Sequence, residues 1–273
     1  MKNILKGIIP AFAALAFVAC DNIDVNDRFI EVKSDDPVNP DTTVFAPKHA
    51  VLIEDFTGQR CSNCPTAIEE IERLQKELGD TAVVAVGIHS GPFGFKGNAT
   101  YPGFMTDLGN VYYNYWDIQS QPMGVVDRTG AAAYLQWATI TYNQLKKSCP
   151  LALSLNNSFD EATRQLTVTV NSRSADAVAD AKLQLWLIED SLVSLQILPD
   201  GSYDMAYTHN HVLRNAVNGD WGTDYSIAAD TTKAETFTCT VPSEYVAANV
   251  SVVAFVYKNN GEGVVQVTKR HIK

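Results

Sequence analysis

Residues 49–90 read "HAVLIEDFTGQRCSNCPTAIEEIERLQKELGDTAVVAVGIHS", an apolar run, a paired-cysteine loop, an amphipathic stretch and a second apolar run. This order constrains the fold more than any other feature of the chain. "TAVVAVGIHS" lacks polar alternation, as a strand covered on both faces does. Between the runs, Cys64, Ile68, Ile71, Leu74 and Leu78 recur at helical spacing, with Glu and Lys between them, and Gly79 stops the helix. Strand, helix and strand in succession predict a compact α/β domain.

The paired cysteines, Cys61 and Cys64 in "QRCSNCPTA", admit three chemistries. A zinc site needs a second Cys/His pair at ligand spacing. Only His209 and His211 in "THNH" offer one, far along the chain, where surface polarity is the simpler account. A structural staple closing so short a loop restricts the unfolded chain little. A redox dithiol fits the helix that follows. Its unpaired N–H groups and positive dipole end stabilise a thiolate on Cys61, helped by Arg60. Cys64, one turn on, faces the apolar side. The spacing therefore predicts an exposed nucleophile followed by a shielded resolving thiol, as thiol–disulfide exchange requires. An inert disulfide on the same scaffold is the other reading.

The compartment bears on that choice. "MKNILKGIIPAFAALAFVAC" places Lys2 and Lys6 before an apolar run from Ile8 to Val18 that is too short to span a bilayer. With Ala19 before Cys20 and polar "DNIDVND" after it, the segment resembles a bacterial lipoprotein signal, although Phe17 stands where Leu is usual. The resemblance implies cleavage, acylation of Cys20 and membrane attachment through lipid. Export places Cys61, Cys64, Cys149 and Cys239 where disulfides persist. Cys149 and Cys239 are candidates for a second, structural disulfide, with free buried thiols as the alternative. The chain is 273 residues long with a net charge of −10, which argues against nucleic-acid binding.

Further on, "GPFGFKGNATYPGF" is a loop whose Phe93, Phe95, Tyr101 and Phe104 either line a groove near the dithiol or pack the loop down. His89 precedes it, most simply as a histidine at the core edge. "MTDLGNVYYNYW" reads as a short helix, "MGVVDRTG" as a strand and turn, and "AAYLQWATITYNQLKKS" as a closing helix. After Cys149 the texture changes. "PLALSLNNSF", "RQLTVTVNSRS", "AKLQLWLIED", "ETFTCTVP" and "NVSVVAFVYKNN" are short β-rich runs separated by turn residues, which predicts an antiparallel sandwich.

"VLIEDFTGQRCSNCPTAIEEI" resembles the active-site segment of thioredoxin-fold proteins. That likeness implies that Asp55 is the buried acid taking a proton from the second cysteine. It also implies that Pro122, in "YWDIQSQPMGVV", is a cis-proline facing the dithiol. Arg60 replaces the usual aromatic before the first cysteine, so neither potential nor direction carries over. The lipoprotein signal, "LIEDFTGQRCSNCP", "VGIHSG", "QPMGVVDR" and "YTHNHVLRNAVNGDWG" together resemble the outer-membrane-protein-twenty-eight-related lipoproteins of anaerobic Gram-negative bacteria. This implies architecture and location more than activity.

The sequence thus predicts four segments: a lipoprotein signal at 1–19, a flexible acidic tether at 20–48, a thioredoxin-like α/β domain at 49–148, and an all-β immunoglobulin-like antiparallel sandwich at 149–273. The expected activity is thiol–disulfide exchange on the thiols or disulfides of exported envelope proteins. Cys61, Cys64, Asp55 and Pro122 would carry it, with neither cofactor nor metal. The alternative is a non-catalytic binding or assembly lipoprotein of the outer membrane with a vestigial disulfide.

Overall fold

The structure is a computed structural model and describes residues 45–273. The expected signal, Cys20 and the tether up to residue 44 lie outside the described residues. Phe45–Lys48, expected to belong to the tether, instead touch the fold at Phe45, Pro47 and the Lys48 backbone. Pro47 is buried, the Lys48 carbonyl accepts a hydrogen bond from Gln266, and the Arg173 guanidinium stacks on Phe45.

The first half supplies β1 (Val51–Thr57), α1 (Cys64–Leu78), β2 (Val83–His89), α2 (Asp107–Tyr115), β3 (Met123–Val126), β4 (Ala131–Ala133) and α3 (Trp137–Gln144). β1 pairs in parallel with β2 and antiparallel with β3. Along β1, alternate side chains go to opposite faces. Val51 and Ile53 pack under α1 and α3 with Leu74 and Trp137, whereas Leu52 and Phe56 join Tyr112 of α2.

The second half is β throughout: β5 (Leu151–Phe159), β6 (Gln165–Ser174), β7 (Val178–Glu189), β8 (Leu192–Ile197), β9 (Tyr203–His209), β10 (Val212–Ala216), β11 (Thr223–Ile227), β12 (Thr231–Thr240), β13 (Val250–Lys258) and β14 (Gly263–His271). The chain is therefore mostly β, in mixed sheets. One large sheet runs β14-β13-β7-β10-β2-β1-β3-β4, with β11 also paired to β7. A three-stranded sheet, β12-β6-β5, covers the β7–β13 part on one face through Leu155, Leu166 and Val168.

The sequence places a boundary between residues 148 and 149, but the large sheet runs across it. β10 lies parallel to β2, with Val212 opposite Gly87, and the Gly87 N–H donates to the His211 carbonyl. A buried edge of β2 would leave backbone groups without partners, and β10 supplies them. The halves also share an apolar layer, in which Trp186, Phe255 and Tyr257 pack with Leu52, Phe56 and Val86. Within it lies a buried ion pair: Arg128 donates to both Glu54 carboxylate oxygens at 3.2 and 3.3 Å. Around the guanidinium stand the rings of Tyr112, Trp186, Trp221, Phe255 and Tyr257, the nearest 4.2 Å away.

Cys149 and Cys239 do not pair. Leu151, two residues after Cys149, lies opposite Ser174 at one end of β6, while Cys239 lies opposite Leu166 at the other. Eight strand residues separate those positions, roughly 26 Å at ~3.3 Å per residue, far beyond disulfide reach.

Candidate functional site

β1 delivers its last residues toward α1, and the turn between them carries the cysteines. Cys61 and Cys64 form a disulfide with S–S 2.07 Å. The helix begins at Cys64 itself, with Pro65 in its first turn and no acidic side chain there, so Cys61 sits in the preceding turn with its N–H on the Gly58 carbonyl. Gly58 is needed because a Cβ there would lie 2.3 Å from the Phe93 carbonyl oxygen. The Arg60 N–H donates to that same carbonyl, and its guanidinium stacks over Phe95 at 4.7 Å.

The spacing predicts an exposed Cys61, but the residue is 2% exposed. The cause is the β8–β9 hairpin of the second half, which folds back over the cysteine turn. Gln196 Nε2 donates to the Cys61 carbonyl at 2.9 Å, and the Ile197 N–H donates to the Gln59 carbonyl at 3.0 Å. Gln59, fully buried, donates to Ser194 Oγ and accepts from the Phe104 N–H, which locks the aromatic loop into the same cover. Phe95 and Phe104 are buried, whereas Phe93 is partly exposed.

Asp55 projects from the α1 face of β1. Its cross-strand neighbours are Gly87 on β2 and Gly124 on β3. The Trp137 ring fills the space over Gly124, while over Gly87 come the backbone carbonyls of Asn210 and His211. A small cavity of about 30 Å³ remains, lined by Asp55, Ile68 and Glu72 of α1, His89, His209 and His211. That is room for a water or two. Asp55 is 1% exposed, its Oδ1 has no protein hydrogen-bond partner, and burial pushes its pKa up to about 8. At neutral pH the carboxyl is mostly protonated.

Two further buried titratable groups line the same space. Burial drives the His89 imidazole well below its usual range, with His209 and Arg214 adding to the effect. Burial also lowers His209 to about 4, against the opposing influence of the Leu195 carbonyl and Asp204. Both rings are neutral, and their centroids lie 5.3 Å apart. His211 sits beyond the strand in a left-handed conformation and pairs with Asp190 at 3.0 Å. Among the described residues, no three His, Cys, Asp or Glu side chains converge as metal ligands.

Pro122 follows a cis peptide bond and leads into β3, whose Met123 lies opposite Phe56. Gln121 donates to the Thr57 and Ser90 carbonyls and ties this segment to the ends of β1 and β2. The structure thus brings Asp55, the disulfide turn and the Pro122 segment to one end of β1. Gln196, Gln59 and the placement of His209 are absent from the sequence reading; a lone Gln and a "THNH" carry no one-dimensional signal of docking on a distant strand.

A mostly β protein with a covered disulfide and a buried acid at one end of the same strand is the class this architecture defines. The sequence profile described as "Outer membrane protein Omp28" matches residues 109–273, and the chain belongs to that family. The protein is accordingly an outer-membrane lipoprotein. The matched segment includes Pro122, the β8–β9 hairpin and His209, and begins after Cys61 and Cys64. HBP35 of Porphyromonas gingivalis shares the fold, with a TM-score of 0.66 at 19% identity over 82% of this chain and 76% of that one. A domain of the outer membrane lipoprotein Omp28 of Porphyromonas gingivalis aligns with 27% identity and a TM-score of 0.35, over 46% of this chain and 89% of that one. No curated protein matches the chain.

Proposed function

We propose that the protein exchanges thiols and disulfides with exported envelope proteins through Cys61 and Cys64. In this reading β1–α1–β2 with α2, β3–β4 and α3 form a thioredoxin-like unit, joined to a sandwich-like second half. The observation that carries the proposal is Asp55: an ionisable carboxyl, buried without a protein partner, in a cavity beneath the helix that carries Cys64. A purely structural disulfide has no use for such a group, whereas exchange needs a local proton donor and acceptor.

In one direction, a client thiolate attacks Cys61 Sγ, the Cys61–Cys64 bond breaks, and Cys64 leaves as a thiolate that takes the Asp55 proton. A second client thiolate then attacks the client sulfur of the mixed disulfide, releasing Cys61 as a thiolate. The client gains the disulfide that the protein loses. The reverse sequence reduces a client. Either way the hairpin must first lift. Four hydrogen bonds hold it to the cysteine turn, from Gln196, from the Ile197 N–H, and from Gln59 to Ser194 Oγ and the Leu195 carbonyl, so opening costs roughly 2–6 kcal/mol at ~0.5–1.5 each.

A second reading has one observation in its favour. Cys61 is as buried as a structural cysteine, which suits a non-catalytic binding or assembly lipoprotein. Replacing Cys64 with Ser separates the two. Exchange predicts mixed disulfides trapped on Cys61 in alkylated cell envelopes; a free, unreacted Cys61 across the envelope supports the binding reading.

A further inference from the structure

Three buried titratable side chains, Asp55, His89 and His209, line the cavity under α1, and the exchange chemistry proposed above uses only one of them. The geometry points to His209, with His89 beside it, as the relay that carries protons between Asp55 and solvent. This inference rests on the exchange reading and assigns its proton route.

Four observations support it. First, Asp55, His89 and His209 line one cavity, and its rim includes Glu72 and Asn210, both exposed, so the cavity meets solvent on the histidine side. Second, each of the three presents a buried atom without a protein partner: Asp55 Oδ1, His89 Nδ1 and His209 Nε2. Third, the rotation of the His209 ring is limited by edge contacts with Phe104 at 5.0 Å and Tyr207 at 4.8 Å. Fourth, the surroundings keep both rings neutral, the form that can accept one proton and donate another.

The position of His209 has a cause in the chain. It is the last residue of β9, at the base of the hairpin, just before β10 docks on β2 at Gly87. The Asn210 and His211 carbonyls pass over Gly87, 3.6 and 3.7 Å from where a Cβ would lie. This pairing brings His209 to the cavity that Asp55 lines. The hairpin that covers Cys61 and the residue that serves Asp55 are therefore one element.

When Cys64 leaves as a thiolate it takes the Asp55 proton, and a buried carboxylate remains. The neutral His209 ring takes a proton from solvent at the Glu72–Asn210 rim, forming a transient imidazolium beside the new carboxylate, and passes one proton to Asp55, directly or through a water, which returns the ring to its neutral form. Charged or titratable groups facing the relay are Glu69 and Glu72 from α1, Asp204 and Tyr207 from β9, and His211, Asp190 and Arg214 around β10.

The test is stopped-flow reduction of Cys61–Cys64 by dithiothreitol in the full mature chain, from pH 5 to 9, with rates corrected for the thiolate fraction of the reductant. His209→Gln keeps a polar side chain but cannot relay. It should lower the corrected rate about 100-fold or more, in keeping with the ~10²–10⁴-fold range of general acid–base effects, and enlarge the solvent isotope effect. His209→Gly should show the same loss and recover with added imidazole, which a merely structural role would not allow. His89→Gln should lower the rate less. Unchanged rates in His209→Gln, or loss without imidazole rescue in His209→Gly, would overturn the relay while leaving exchange intact. A wild-type disulfide inert to dithiothreitol in the folded protein would overturn both.

Discussion

Replacing Asp55 by asparagine removes a buried ionisable group without changing its shape, and the effect on stability should depend steeply on pH. In the folded protein the carboxyl has a pKa of about 8, against 3.8 for an unperturbed aspartate, and burial is the cause. Between those values the native state holds a proton that the unfolded state has released. Stability therefore falls as pH rises through that window, by ~1.4 kcal/mol per pH unit. Over the whole window this amounts to roughly 6 kcal/mol, comparable with the total stability of many domains. The Asp55→Asn variant, with no proton to lose, escapes this penalty. Urea unfolding of both forms at half-unit steps from pH 4 to 9 should show little difference near pH 4. A gap favouring the variant should then widen steadily and level off above pH 8. The His49 imidazole is raised to about 9 as well, burial being outweighed by Asp127 and Cys149, but it is common to both proteins and cancels. A gap that stays flat across the range would refute the claim that Asp55 is buried, unpartnered and protonated at neutral pH.

Three further outcomes follow from other parts of the molecule. Arg128→Met strands the Glu54 carboxyl in the core and should cost about 3–5 kcal/mol in urea unfolding, most of it recovered in the Glu54→Leu/Arg128→Met double variant; a cost below about 1 kcal/mol would contradict the buried pair. Gln196→Ala removes one hydrogen bond holding the hairpin on Cys61, worth ~1 kcal/mol, and should speed disulfide reduction about fivefold, as measured by alkylation and mass spectrometry, while global stability in urea falls by no more than that same ~1 kcal/mol. His209 is held to about 4, chiefly by burial, so the unfolded state binds more protons between pH 6.5 and 4 and stability falls on acidification. His209→Gln should flatten that acid limb by about 3 kcal/mol in thermal or urea unfolding; an identical limb would place the ring in water.

The β1–α1–β2 unit is legible in the sequence because its signal is local. Apolar runs mark the buried strands, and the helical spacing of Cys64, Ile71 and Leu74 marks α1. Asp55 and Pro122 are reached through a resemblance, and they lie at the same end of β1. What the sequence hides is every long-range contact. Nothing local says that Val212 pairs beside Gly87, since a single parallel pairing leaves no periodic trace. The exposure expected for Cys61 fails for the same reason: helix position alone predicts an accessible sulfur, and a hairpin more than a hundred residues away covers it. The Cys149–Cys239 bridge fails because adjacency in a sandwich depends on register along β6, which composition does not fix. His209 reads as surface polarity because its burial comes from Phe104 and His89 in the other half.

The disulfide's own reactivity tests the central proposal most directly. Reduction of Cys61–Cys64 by a glutathione couple can be timed beside global unfolding in the same buffer. Exchange predicts reduction that rises linearly with thiol concentration, runs faster than unfolding, reverses on reoxidation and leaves the fold intact. Reduction that occurs only as fast as the protein unfolds would show a sealed structural bridge.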